Sequence, residues 1–269
     1  MDTLDTHRQY DGYLATPFLW NGNLDGLEML EMDGTHKSTY PEIDTQIHIR
    51  LGKLIEYFVL FELEQNKRYK TLQSNIQIFQ GQITIGELDA IIKQSEKVVH
   101  LEIVYKFYLY DPSIPVEMNR WIGPNRNDSF VEKLNKLKNK QLPLINHPET
   151  IRILSDLDVD LANVIQKVCF KAQLFVPYLS YENTFPIINN ACINGFYIPF
   201  SDIVLFEDCI FHIPEKLDWL TPPHLEVEWI SNTAFEKSIS LLLASKKSPL
   251  CWMKTKDSKL QKFFVVWWV

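Results

Sequence analysis

Acidic and basic side chains interrupt two strand-like segments of this sequence. The stretch "GELDAII" carries Glu87 and Asp89, and the stretch "HLEIVYKFYL" carries Glu102 and Lys106. Strand side chains alternate between two faces, so the members of each pair share a face of their strand. If the two strands pair through the short turn at residues 93–96, Asp89 lies beside Glu102, and Lys106 lies one pleat further along the same ribbon.

Two carboxylates and an ammonium group in this arrangement predict metal-assisted hydrolysis. Asp89 and Glu102 would hold Mg²⁺ or Mn²⁺, which prefer oxygen ligands. Such an ion stabilises the attacking and leaving oxygens of a phosphodiester, and Lys106 would orient the attacking water or neutralise the developing charge. Two other interpretations stay open: a cross-strand ladder of salt bridges, and a glycosidase-like carboxylate pair, for which nothing fixes a separation or a sugar platform.

Further candidates surround this pair, each with a structural alternative. Glu56 lies within a mostly apolar face of a predicted helix, where it is either a site residue or a glutamate at the helix edge. Glu87 is either a second acid of the site or a strand-edge charge, and His100 is either a site residue or a structural hydrogen-bonding group. Three lysines of a later helix are either phosphate contacts or part of a solvated face: Lys133, Lys136 and Lys140.

Predicted helices and strands would position these residues. A helix over residues 43–66 follows Pro41 and has apolar residues at alternating spacings of four and three. Strands over 71–80, 83–92 and 97–110 predict an antiparallel meander. The later predicted elements are helices over 128–141, 149–166 and 233–244, a strand over 168–178 and a terminal hairpin.

Composition indicates a soluble, cytoplasmic protein. The sequence is 46% hydrophobic, but it has neither an apolar run that could span a membrane nor the start typical of a signal peptide. The net charge is −7, and residues 1–44 hold nine acids against two bases. This balance disfavours long-range attraction of nucleic acid but is compatible with a local basic patch. The four cysteines form no CxxC pair, which predicts neither a zinc site nor a disulfide framework.

Several segments together carry a family resemblance. They are "RLGKLIEYF", "GELDAII", "HLEIVYKFYL" and "WIGPNRNDSFVEKLNKLKNKQLPL", with "RQYDGYLATPFLW", "NGFYIPFSD" and "PEKLDWLTPP" towards the ends. The sequence resembles an uncharacterised bacterial family, domain of unknown function 1853, which is grouped with the PD-(D/E)XK nuclease-like superfamily. The resemblance covers nearly the whole chain and is most specific around "GELD" and "WIGPN".

The resemblance implies an α/β (α+β) fold with a restriction-endonuclease-like αβββαβ core. Its central mixed sheet would be flanked by helices and followed by an irregular β-rich C-terminal extension. We expect one domain over residues 1–269, divided into an acidic N-terminal segment (1–42), the nuclease-like core (43–180) and an aromatic- and proline-rich extension (181–269).

The resemblance also implies roles for individual residues. Glu56 resembles the acid of the first helix, Asp89 the metal-binding aspartate, Glu102 the next metal ligand and Lys106 the catalytic lysine. Lys106 departs from the family pattern, because it follows Glu102 by four residues where the usual spacing is two.

These observations predict a metal-dependent, nuclease-like protein that hydrolyses nucleic-acid phosphodiesters. The alternative is a non-catalytic module that binds nucleic acid or protein and retains the fold with an inactive site. The expected partner is therefore nucleic acid of unspecified type and not a membrane, and the sequence indicates no oligomeric state.

Overall fold

The computed structural model describes residues 3–32, 39–43, 49–156, 163–180 and 184–268. Within these ranges the chain is an α+β protein, and its strands form a large mixed sheet that helices flank. This confirms the α+β class and the mixed sheet, whereas the restriction-endonuclease-like core stays a prediction.

Two compact units make up the chain. The first unit contains Met1–Pro17, Lys106–Val131 and Ala172–Val269, and the second contains Phe18–Tyr105 and Glu132–Lys171. All residues of the predicted C-terminal extension belong to the first unit, whereas those of the predicted core are divided between the two. The candidate site residues fall in the second unit except for Lys106.

The elements follow one another in a mixed α and β order. The helices are α1 (Thr3–Ala15), α2 (Leu51–Gln65), α3 (Phe130–Lys136), α4 (Pro148–Ser155) and α5 (Asn232–Ala244). The first strands are β1 (Asn23–Leu24), β2 (Leu27–Glu28), β3 (Tyr69–Gln80), β4 (Ile83–Gln94), β5 (Lys97–Tyr110) and β6 (Trp121–Ile122). The later strands are β7 (Ile165–Pro177), β8 (Ile193–Pro199), β9 (Ile210–His212), β10 (Leu250–Lys254) and β11 (Leu260–Val266).

Helix α2 carries the apolar stripe that its sequence predicts, because residues spaced by three and four positions return to one side of a helix. Leu54 and Phe58 of this stripe are buried, and Leu63 is buried on the opposite side of the helix. The predicted start at residue 43 is wrong: α2 begins at Leu51, after Arg50 with extended backbone angles. The described residues before it, 39–43 and 49–50, are not helical.

Strands β3, β4 and β5 form the predicted antiparallel meander. Gly81 closes the first turn with a φ of 63°, which a residue without a Cβ adopts at little cost. The β3–β4 ladder pairs Ile76 with Leu88 and contains two register shifts. Side chains of the meander pack with Ile145 and Leu154 in a buried apolar cluster. This cluster includes Ile91, which lies on the same face of β4 as Glu87 and Asp89, so the charged residues border an apolar core.

Chain segments after the meander differ from the predicted helices. α3 ends at Lys136 and continues as a single π-turn, Leu137–Gln141, followed by a 3₁₀ segment to Asn146. The predicted helix over 149–166 is too long, because α4 ends at Ser155 and residues from Ile165 onward are strand. Positions 157–162 of that prediction lie outside the described residues.

In the first unit, the strands are neighbours in the order β7, β8, β11, β10 and β9. β8 is parallel to both β7 and β11, whereas β10 pairs antiparallel with β11 as the predicted terminal hairpin. Helix α5 covers this sheet by burying Phe235 and Ile239 against Phe263. The region predicted as β-rich thus contains four strands of a sheet, with connections outside the strands and an apolar core of its own.

Membrane insertion by a helix has no support in the described part of the chain, where no helix combines the length and apolar character that a span requires.

Candidate metal centre

Three carboxylates converge beside α2 and β4. One oxygen from each of Glu56, Glu87 and Asp89 lies within 4.8 Å of the others. Octahedral coordination at about 2.1 Å places adjacent ligand oxygens about 3 Å apart, so small rotamer changes would bring these three around one ion. We call these three residues the acid cluster. The acid cluster combines one residue of α2 with two residues of β4, which are distant in sequence and meet only in the folded chain.

Lys53 neutralises part of the acid cluster. Its Nζ donates to Glu56 Oε2 at 2.8 Å, to Glu87 Oε1 at 2.5 Å and to the side-chain oxygen of Asn75 at 2.8 Å. Asn75 has a φ of 54°, a left-handed conformation that asparagine tolerates better than most residues. The side chains of Glu56 and Glu87 remain 16% and 29% exposed. The cluster is therefore partly compensated and open to solvent.

Asp89 lies where the ladder between β4 and β5 ends. The backbone pairing runs from Gln94–Lys97 to Ala90–Leu101. Beyond it, the Asp89 carboxylate accepts a hydrogen bond from the backbone N–H of Ile103 at 2.8 Å. A side-chain oxygen thus takes the place of a backbone carbonyl, which fixes the Asp89 side chain at the point where the strands diverge.

Glu102 is fully buried and is held from two sides. Its Oε1 lies 3.1 Å from His100 Nε2, and its Oε2 accepts a hydrogen bond from the side chain of Gln141. The carbonyl oxygen of that Gln141 side chain accepts from Lys133 Nζ at 2.6 Å. Gln141 ends the π-turn, a local widening of the helix that often marks functional positions. The π-turn thus supplies a donor to a carboxylate that has no access to water.

Burial dominates the electrostatics of these carboxyls. Burial, followed by the charge of nearby Glu102, raises the pKa of Asp89 to about 7. Burial also raises the pKa of Glu102 to about 7, against the opposing charge of Lys133. The pKa of Glu56 is raised by burial and by the charge of Asp89, although Lys53 opposes this shift. Because burial is the first cause of these shifts, a divalent cation bound here would offset the cost of ionising carboxyl groups away from water.

Burial lowers the pKa of His100 to about 4, so the imidazole is neutral at neutral pH. Its Nε2 faces Glu102, and its buried Nδ1 meets no hydrogen-bond partner among the described residues. The side-chain hydrogen bond of His100 is therefore directed at Glu102, which fits a residue that orients this carboxylate.

A cavity of about 550 Å³ opens beside the acid cluster. Its walls include Lys53, Glu56, Tyr57, Asn75 and Glu87. Tyr57 also ties the preceding chain to α2, because its hydroxyl donates to the backbone oxygen of Glu42 at 2.7 Å. A volume of several hundred cubic ångströms is typical of ligand sites. The carboxylates of Glu56 and Glu87 are thus accessible from a cleft of suitable size.

The four sequence-predicted lysines differ in their surroundings. Lys106 belongs to the first unit, where its Nζ pairs with Asp128 at 2.5 Å. Lys136 is exposed, and its positive charge partly opposes the rise in the pKa of Glu102 that burial causes. Lys140 is exposed on the π-turn. Lys133 is connected to Glu102 through Gln141. Its ammonium group donates to the side-chain oxygen of Gln141, and the side-chain nitrogen of Gln141 donates to Glu102.

Sequence reasoning missed Lys53, Asn75 and Gln141. Lys53 precedes Glu56 by three residues, a spacing at which helix side chains meet, so this signal was present in the sequence. Asn75 and Gln141 come from a strand irregularity and a π-turn, for which local sequence offered no pattern.

The family comparison covers nearly the whole chain. The model of a family described as "Domain of unknown function (DUF1853)" matches residues 5–266. The chain belongs to the DUF1853 family. No curated protein and no solved structure gives a significant match to this DUF1853 chain. The family description states no activity, so the function of this DUF1853 protein has to be argued from the acid cluster and its surroundings.

Proposed function

We propose that this DUF1853 protein is a metal-dependent, nuclease-like hydrolase of the PD-(D/E)XK type that cleaves nucleic-acid phosphodiesters with Mg²⁺ or Mn²⁺. The observation that carries the proposal is the convergence of Glu56, Glu87 and Asp89 within 4.8 Å beside a cleft. Clustered carboxylate oxygens are the ligands that these hard cations select. The raised pKa of Asp89 is consistent with the proposal, because burial and, after it, the charge of Glu102 make its ionised form costly without a nearby cation.

Each acid has a proposed task. Asp89 and Glu87 supply ligand oxygens from one strand, and Glu56 contributes from α2 directly or through a water. Glu102 adds negative charge next to Asp89, but both of its oxygens already contact His100 and Gln141. We therefore assign Glu102 to positioning Asp89 and to ligation after a small shift. A bound ion would supply Lewis-acid stabilisation of the phosphodiester oxygens.

The proposed hydrolysis requires an ammonium group beside the phosphate, and two of the described lysines are candidates for this role. Lys53 already contacts the cluster, and its ammonium would be released towards the cleft when a cation takes over Glu56 and Glu87. The lysine carried over from the resemblance is Lys106, which pairs with Asp128. Cleavage rates of Lys53→Met and Lys106→Met identify which ammonium orients the attacking water or neutralises the developing charge.

A non-catalytic binding module is the second candidate, because Lys53 already forms ion pairs with two of the three acids. In this case Lys53 would remain paired with Glu56 and Glu87 in the working protein, and no divalent cation would displace it. Metal binding therefore separates the two candidates.

Cleavage of defined nucleic acids tests the proposal. Purified wild-type protein, Asp89→Asn and Glu96→Gln are incubated with end-labelled single- and double-stranded DNA and RNA, with Mg²⁺, Mn²⁺ or EDTA. The amide oxygen introduced by Asp89→Asn can still accept the Ile103 N–H, but the negative charge is lost. Glu96 is a matched control, since this acid of the β4–β5 turn is 94% exposed.

The expected result is metal-dependent product from wild-type protein and Glu96→Gln, and background product from Asp89→Asn. Equal product from all three proteins would indicate a contaminating nuclease. No product with any substrate, together with no Mn²⁺ binding by calorimetry, would overturn the hydrolase in favour of the binding module.

A further inference from the structure

A second cavity, of about 470 Å³, lies wholly within the first unit. It is formed by the chain that follows β5, the loop after β6, the end of β7, β8 and the chain that follows β11. The residues that decide its chemistry are Asp111, Arg126, Tyr178, Tyr197, Asp202 and Trp268. We call this cavity the Arg126 pocket. None of these residues belongs to the acid cluster.

Arg126 is held by two contacts in this pocket. Its Nη1 donates to Asp111 Oδ2 at 2.8 Å, and its guanidinium lies 4.7 Å from the centre of the Trp268 ring. Asp111 is buried and also accepts hydrogen bonds from the backbone N–H and hydroxyl of Ser113. Trp268 is fixed in turn, because its Nε1 donates to the backbone oxygen of Pro124 at 2.9 Å. Little conformational freedom is then lost when a ligand meets the guanidinium.

One edge of the guanidinium is available to a ligand. Among the residues that the structure describes, Arg126 Nε and Nη2 have no hydrogen-bond acceptor, and the side chain is 37% exposed. These two N–H groups form a planar fork that matches a pair of adjacent acceptor atoms.

Charge and shape select the kind of ligand. The pocket contains two carboxylates, Asp111 and Asp202, against the single charge of Arg126, so its net charge of −1 disfavours an anion. The aromatic rings of Tyr178, Tyr197 and Trp268 favour a flat ring. The Tyr197 hydroxyl donates to the backbone oxygen of Tyr110 at 2.7 Å, and burial raises its pKa, so this wall stays neutral.

We propose that the Arg126 pocket binds a single unstacked nucleobase, with guanine preferred. A guanine presents O6 and N7 as two adjacent acceptors, which suit the Nε and Nη2 fork, and aromatic side chains stack on any base. The choice of nucleic acid as ligand rests on the proposed function, whereas the pocket itself does not. Trp268 would thus contribute to base recognition as well as to packing.

Calorimetry with free nucleosides tests the inference on the full chain. Guanosine, adenosine, cytidine and uridine are titrated into wild-type protein, Arg126→Lys and Arg152→Lys. Arg126→Lys keeps the positive charge but removes the fork. Arg152 is the matched control, an arginine of α4 whose side chain is 77% exposed.

Saturable guanosine binding is expected, about tenfold tighter than that of the other nucleosides, since a bidentate contact gives discrimination of this order. Arg126→Lys should remove the preference, and Arg152→Lys should keep it. On the wild-type protein, 7-deazaguanosine, which lacks the N7 acceptor, should bind about as weakly as the other nucleosides. This ligand keeps the test valid if Arg126→Lys does not fold. Guanosine 5′-monophosphate should bind no more tightly than guanosine, because the pocket carries negative charge.

Absence of saturable binding by every nucleoside would overturn the inference, as would equal binding of guanosine and 7-deazaguanosine. The hydrolase proposal and the nucleobase proposal can each fail without the other. Nuclease activity without nucleoside binding would leave the acid cluster as the functional site, and nucleoside binding by a protein that cleaves nothing would retain the Arg126 pocket alone.

Discussion

Gln141 donates a side-chain hydrogen bond to Glu102, a carboxylate 39 residues earlier in the chain. Because Glu102 is completely buried, this donor replaces water that the carboxylate has lost. Gln141 is the last residue of the π-turn Leu137–Gln141, which shifts the end of the helix. The contact thereby links an irregular helix to the strand beside the acid cluster.

Replacing Gln141 with alanine should lower the free energy of unfolding by about 1 to 3 kcal/mol, the usual cost of leaving a buried polar group without its donor. Urea denaturation measures this difference. Asn139→Ala is the control, because Asn139 is an exposed amide of the same turn. A loss for Gln141→Ala that equals the loss for Asn139→Ala would mean that the contact does not stabilise Glu102.

Lys53→Gln should tighten Mn²⁺ binding several-fold, because the ammonium competes with the ion for Glu56 and Glu87. Without metal, the same variant should unfold more easily at neutral pH, since the two carboxylates lose their cation. Calorimetric titration with Mn²⁺ and thermal unfolding in EDTA measure the two effects. Lys93→Gln, which breaks an exposed pair with Glu96, serves as control. Unchanged Mn²⁺ affinity in Lys53→Gln would place the ion elsewhere.

Asp89 and Glu102 should each lower the stability of the metal-free protein as pH rises towards 7. The pKa values of Asp89 and Glu102 are about 7 in the folded chain, against ordinary values of 3.8 and 4.5. Between these values the folded chain binds more protons than the unfolded chain, so the free energy of unfolding falls with increasing pH. Urea denaturation in EDTA at pH values from about 5 to about 8 measures the slope.

Asp89→Asn should flatten this pH dependence, because it removes one titrating carboxyl and the repulsion on the other. Adding Mg²⁺ to wild-type protein should restore stability most at the higher pH values, where ligands are ionised. Equal pH slopes for wild-type protein and Asp89→Asn in EDTA would contradict the raised pKa of Asp89.

Lys262 should increase the stability of the folded chain as pH rises in the alkaline range. Burial lowers its pKa to about 7, although its Nζ donates to Trp219 O at 2.7 Å and Gln173 Oε1 at 3.0 Å. Between about pH 7 and pH 10 the unfolded chain carries the proton that the folded chain has released, so stability gains up to about 1.4 kcal/mol per pH unit from this group.

Lys262→Met should remove this alkaline gain, which denaturation over the same alkaline range measures. Lys254→Met in the neighbouring β10, a half-buried lysine, is the control. The interpretation fails if Lys262→Met and wild-type protein keep parallel pH profiles.

Local sequence patterns predict the helices and strands in which apolar residues recur at regular spacing. The strand over residues 97–110 was predicted with the limits that β5 has, and the other two strands of the meander differ by two residues at one end. Alternating apolar side chains and short polar turns determine such strands locally. Helix α5 was similarly predicted to within one residue.

Long-range contacts explain what the sequence could not predict. Pro41 and the acids after it resemble a helix start, but α2 begins after the extended residue Arg50. The pairing of Asp89 with a backbone N–H and the approach of Gln141 to Glu102 depend on where a ladder ends and where a helix widens. Those positions follow from packing across the fold, which a window of neighbouring residues does not contain.

Connectivity of the two units has a consequence for biosynthesis. The chain passes from one unit to the other at residues 17/18, 105/106, 131/132 and 171/172. Neither unit is therefore encoded by one contiguous stretch, and a truncated gene product cannot contain the whole of the first unit without the second. On the ribosome, every residue of the candidate metal centre has been added by Lys171, whereas the Arg126 pocket is complete only once Trp268 has been added.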